Sequence, residues 1–121
     1  QEKIRRNYTL QYNQFTLEYF NDPKTLTKGD FFKIVADYYV YCHANIDETK
    51  IIKYYIIRMA ALKEWLTLGI INHGSIETFI NYLGGEILQN KTHGKSNCLC
   101  IPYDKIPACC FYNNTKEVHN I

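Results

Sequence analysis

The feature that most limits what this chain can fold into is the placement of its five cysteines. Cys42 stands alone inside an apolar pattern, while Cys98, Cys100, Cys109 and Cys110 crowd into thirteen residues near the C-terminal end. The segment around that cluster carries few aliphatic residues, so a covalent or metallic tie is expected to hold it. Two chemistries supply one. In the disulfide reading, Cys98 and Cys100 present their side chains to one side of an extended chain. Adjacent Cys109 and Cys110 then face opposite ways, so one meets Cys42 or Cys98 while the other closes the local loop. A Cys100 to Cys109 bridge closes about ten residues and is worth about 2–3 kcal/mol on the chain-entropy view. Five being odd, one thiol is left over, which predicts a disulfide-linked homodimer through the exposed member of the Cys109 and Cys110 pair. In the metal reading, His93, Cys98, Cys100 and Cys109 (or Cys110 in its place) surround a structural zinc. The Cys-x-Cys step is tighter than the two-to-four-residue spacing of common zinc knuckles, which disfavours that reading.

The rest of the chain shows helical spacing. Tyr8, Tyr12, Phe15 and Tyr19 recur at steps of four, three and four, and Asn21-Asp22-Pro23 ends the run. Thr27 and Asp30 form a short capping box for a second helix. Its apolar face is Phe31, Val35, Tyr38 and Cys42. The longest predicted helix runs from about 47 to 68 through Ile52, Tyr55, Ile56, Met59, Leu62 and Leu66, with Gly69 as its C-terminal residue. Ser75 caps a fourth helix carrying Ile76, Phe79, Ile80, Leu83 and Ile87; Gly84-Gly85 either ends it or permits close packing. The expected fold is therefore all-α: one domain over 1–121, a small four-helix bundle over about 8–89. A cysteine-rich irregular or short hairpin extension follows over about 90–112, then a frayed polar tail over 113–121. The cysteine pattern departs from those of insect odorant carriers and saposin-like proteins, and no family is assigned.

Composition removes several function classes. Fourteen basic and twelve acidic side chains leave a charge of +2, too little to draw the chain to nucleic acid. Lys53, Arg58, Lys63 and Glu64 interrupt the apolar stretch from Ile51 to Ile71, so it is not a membrane crossing. No paired carboxylates, glycine-rich phosphate cradle or cysteine–histidine pair with catalytic geometry stands out. Neither an enzyme nor a cofactor is expected.

Three glycosylation acceptors, Asn7, Asn90 and Asn113, join the clustered cysteines in pointing to an oxidising, extracellular location. A chain starting at Gln1 is what removal of a signal peptide would leave. Eleven tyrosines and six phenylalanines exceed what one helical face can bury. Tyr8, Tyr12, Tyr19, Phe20, Phe32, Tyr39 and Tyr41 are the candidate anchors for a protein partner. The functional expectation is a secreted or surface-exposed helical interaction module, of the kind a pathogen or virus directs at a host protein. Its alternatives are an intracellular assembly or regulatory protein with structural zinc, and an apolar small-molecule carrier.

Overall fold

The computed structural model describes residues 2–5, 14–22, 27–28, 36–44, 47, 49–89 and 97–112. The strands are β1 (Glu2–Arg5), β2 (Gln14–Asp22), β3 (Thr27–Lys28), β4 (Tyr38–Ala44), β5 (Ile51–Arg58), β6 (Glu86–Gln89) and β7 (Asn97–Pro102). The helices, α1 (Met59–His73) and α2 (Ile76–Tyr82), lie between β5 and β6. The fold is mixed α/β, which overturns the all-α bundle. One sheet has the order β1-β4-β5, with β1 parallel to β4 and β5 antiparallel to it; the other is antiparallel in the order β3-β2-β7-β6.

The helical expectation fails where most positions are apolar. In β5, four isoleucines and two tyrosines occupy eight residues, a branched and aromatic composition suited to a pleated surface. A run that is apolar almost throughout satisfies a period of 3.6 and a period of 2 equally well. In β2, Phe15 and Tyr19 are four apart, an even step that also puts them on one side of a strand. Phe15 and Leu17 are fully buried there, and Tyr19 packs partly buried beside them.

The predicted long helix begins only at Met59, directly after β5, where the Met59 amide donates to the Asp37 carbonyl at 3.0 Å. It continues through Gly69 and ends at Gly74, which takes the left-handed conformation at φ +88° and donates to the Ile70 carbonyl. Gly69 instead serves a close approach: a Cβ there would overlap the ring of Phe79 on α2. Ser75 caps α2 as expected, its Oγ accepting the Thr78 amide at 3.1 Å. Both expectations for Gly84-Gly85 hold together. Gly84 turns the chain at φ +75°, and a side chain on Gly85 would collide with the Cys100 carbonyl.

The C-terminal segment is not held by sulfur. None of the five cysteines forms a disulfide. Instead β7 lies between β2 and β6, and Leu99, Ile101, Tyr103, Ile106, Cys110 and Phe111 are all buried. The aliphatic and phenylalanine side chains of that set alone supply about 6–12 kcal/mol of gross transfer energy. The segment looked thin because its apolar residues are spread among prolines and cysteines, yet nearly every one is used. Phe111 also bridges to Ile57 of β5, joining the two sheets just beyond β7.

Candidate functional site

Two polar features distinguish the interior. Tyr39, Tyr41 and His43 alternate along β4 and face the core with Tyr55 and Ile57 of β5; all five are buried. The Tyr41 hydroxyl lies 2.6 Å from Thr16 Oγ1 and accepts the Thr16 amide at 3.3 Å, so a side chain of one sheet reaches the backbone of the other. His43 Nε2 lies 3.0 Å from the Tyr103 hydroxyl. Tyr103 in turn stacks on Tyr55 with ring centres 3.7 Å apart and planes 14° apart. Burial raises the Tyr55 phenol above its usual value. A histidine beside a phenol is a proton-transfer pair in form. Here both rings are sealed, at 0% and 3% exposure, so this arrangement cross-braces the sheets.

The opposite side of the β4–β5 hairpin, exposed at its Tyr38 end, carries a different group. Tyr38 and Arg58 are opposite each other in the antiparallel register and therefore project to the same side of the sheet. After the short 3₁₀ turn Ala108–Cys110, Tyr112 meets Tyr38 edge to face, ring centres 5.6 Å apart and planes at 81°. The Arg58 guanidinium donates from Nη1 to the Cys109 carbonyl at 3.2 Å, which ties it to the turn that leads into Tyr112. Tyr38 is 44% exposed and Tyr112 45%; Arg58, Asp37 and Cys109 are exposed too. Tyrosine and arginine are the residue types that most often anchor protein interfaces. They combine a large rigid apolar area with hydrogen-bonding ends.

Further exposed apolar side chains lie on the helices. Leu68 and Ile71 sit three apart on the outer side of α1, and Tyr82 ends α2 with its ring 4.5 Å from that of His73. They have no fixed charge among them, and scattered exposed apolar residues are ordinary on protein surfaces.

The strand period redistributes the anchors expected from sequence. Tyr39 and Tyr41 are core residues, Tyr19 is partly buried against the core, and Phe20 lies in β2. Tyr8, Tyr12, Phe32, His93, Asn7, Asn90, Asn113 and the 113–121 tail lie outside the described residues. Tyr38, expected on a helical core face, is exposed, and exposed Tyr112 belongs to no pattern that the sequence presents. Nothing in the run Tyr38–Ala44, apolar at all but His43, separates Tyr38 from Tyr39; the strand pairing with Ile51–Arg58 does. Of the sulfurs, Cys42, Cys100 and Cys110 are buried, Cys98 is intermediate and Cys109 is exposed.

The functional expectations change accordingly. A helical interaction module is overturned by the two sheets. For the zinc alternative, no group of three or more His, Cys, Asp or Glu side chains that could hold a metal occurs among the described residues. The core aromatics pack on one another, Phe15 against Tyr39 and Tyr41, and Tyr55 against Tyr103 and Phe111. No helix among the described residues is long and apolar enough to cross a membrane. Compared with known proteins, the chain matches no family model, no curated protein and no solved structure.

Proposed function

We propose that this chain is a non-catalytic α/β binding scaffold whose contact surface for a protein partner is the Tyr38–Arg58–Tyr112 patch. The observation that carries this reading is the pair of half-exposed tyrosine rings in edge-to-face contact beside a guanidinium held in place by the Cys109 carbonyl. Ordering these side chains before a partner arrives lowers the entropy lost on binding. The scaffold is stiff where it matters: Tyr38 and Arg58 are paired strand residues, and Phe111, the neighbour of Tyr112, is buried and bridged to Ile57. Binding is favoured over catalysis because the histidine–tyrosine pair with acid–base potential is enclosed, whereas the exposed group has an apolar and cationic character suited to recognition.

The test is comparative capture of partners by the wild-type chain and by a Tyr38→Ala, Tyr112→Ala double variant of equal thermal stability. A partner retained by the wild type is expected to bind the variant about thirtyfold more weakly, the effect of losing about 2 kcal/mol of anchor contact. Retention of every wild-type partner at undiminished affinity refutes the assignment.

A further inference from the structure

We infer that the segment the patch receives is acidic and aromatic: a stretch of a partner protein with an aspartate or glutamate beside an aromatic side chain. This inference rests on the binding reading above and specifies the chemistry of its partner. Arg58 has five N–H donors. One nitrogen, Nη1, is engaged with the Cys109 carbonyl, and among the described residues no carboxylate neutralises the guanidinium. The remaining donors suit a carboxylate, which takes two parallel N–H bonds in the fork geometry arginine presents. Beside this charge, the 81° angle between the Tyr38 and Tyr112 rings forms a corner of one ring face and one ring edge. A third flat ring fills such a corner with offset or edge-to-face contacts, the arrangements aromatic quadrupoles favour.

The local charge separates this partner from a nucleic acid, whose bases would also stack on tyrosine. A single-stranded nucleic acid needs a row of cations that follows successive phosphates. Among the described residues the patch has one cation, Arg58, with the exposed Asp37 directly preceding Tyr38. A single carboxylate matches the single guanidinium, while a phosphate chain would meet Asp37 and, among the described residues, no row of cations beside Arg58.

The experiment uses the full chain and three probes: a random copolymer of glutamate and tyrosine, a copolymer of lysine and tyrosine, and single-stranded oligothymidylate. Fluorescence anisotropy is expected to show the glutamate–tyrosine copolymer binding about tenfold or more tighter than either other probe. Arg58→Gln should weaken it about tenfold, the scale of a lost bidentate ion pair. Arg58→Lys should give an intermediate affinity, because it keeps the charge and loses the fork. Lys105→Gln, which removes an exposed cation of the separate 3₁₀ turn Tyr103–Lys105, should leave binding unchanged. Equal binding of the acidic and basic copolymers, or undiminished binding by Arg58→Gln, overturns the inference. Tighter binding of oligothymidylate overturns it in favour of a nucleic acid. If the tyrosine double variant loses a captured partner while the acidic copolymer fails to bind, the patch stands and the acidic partner falls. If neither effect is seen, both fall.

Discussion

Replacing Gly69 with alanine tests how the helices meet, because two opposing effects act at one atom. On propensity alone, alanine in a helix interior is more favourable than glycine by about 1 kcal/mol. The new methyl carbon, however, would stand 2.5 Å from Phe79 Cδ2 and closer still to two other carbons of that ring. Carbon atoms rest about 3.5–4.0 Å apart, so the ring or α2 must yield by about 1 Å or more. Phe79 is 4% exposed and flanked by Trp65 and His73, with ring centres at 5.4 and 5.2 Å, which blocks a sideways step. Overpacking of this kind costs about 1–3 kcal/mol, and displacing α2 would forfeit part of the roughly 2–3 kcal/mol from burying Phe79. The net expectation is a loss of about 1–2 kcal/mol, or a fall in Tm of about 3–12 °C for a chain of this size. Urea unfolding followed by circular dichroism measures it. A Phe79→Leu change in the same chain should recover part of the loss, giving a coupling energy that two independent sites would lack. If Gly69→Ala raises the unfolding midpoint, the helix packing described above is wrong.

Other expectations follow from the interior and the sulfurs. A strong reductant should leave the unfolding midpoint unchanged, and all five thiols should titrate with a thiol reagent once the chain is denatured; a reductant-dependent midpoint contradicts the burial account of the C-terminal segment. In the folded protein Cys109 should be alkylated faster than buried Cys42, Cys100 or Cys110, as peptide mapping of a brief labelling pulse will read out. Tyr103→Phe removes the hydroxyl beside His43 Nε2 and should cost about 1–3 kcal/mol of unfolding free energy; an unchanged midpoint would mean that the contact contributes nothing. Burial raises the Tyr55 phenol, and burial followed by the nearby Glu77 carboxylate raises that of Tyr19. The folded chain thus holds these protons more tightly than the unfolded chain, whose tyrosines ionise near pH 10. Their contribution to stability is complete below about pH 10 and is lost as pH rises from there through the folded values. Tyr55→Phe should flatten that alkaline decline in a pH series of urea melts.

How much of this was legible in the sequence depended on how strongly each stretch was patterned. From Met59 to Tyr82 the apolar spacing, the Ser75 cap and the glycine boundaries gave a helix pair, with Gly69 misassigned because nothing local reveals that a ring from another helix sits on it. The strands were hidden by apolar abundance. Phe15 and Tyr19, or Tyr38 and Cys42, are four apart and keep one side in either structure, so only the branched composition of Ile51–Arg58 could have tipped the balance. The cost of the wrong period is largest at the candidate site, since one residue of offset exchanges Tyr38 for Tyr39 between solvent and core. Tyr112 and Arg58 are fifty-four residues apart in sequence, and their meeting depends on Phe111 reaching β5, a contact that no local pattern announces. The cysteine cluster misled for a related reason: thiols can serve as small apolar core residues, as buried Cys100 and Cys110 do.

Site-specific photocrosslinking decides the central claim most directly. A benzophenone amino acid would be placed singly at Tyr38, Tyr112 and Tyr82, and the partner retained by the wild-type chain added before illumination. Covalent adducts are expected from positions 38 and 112 and none from 82. Adducts from position 82 alone would contradict the account, moving the contact surface from the β4–β5 hairpin to the helices.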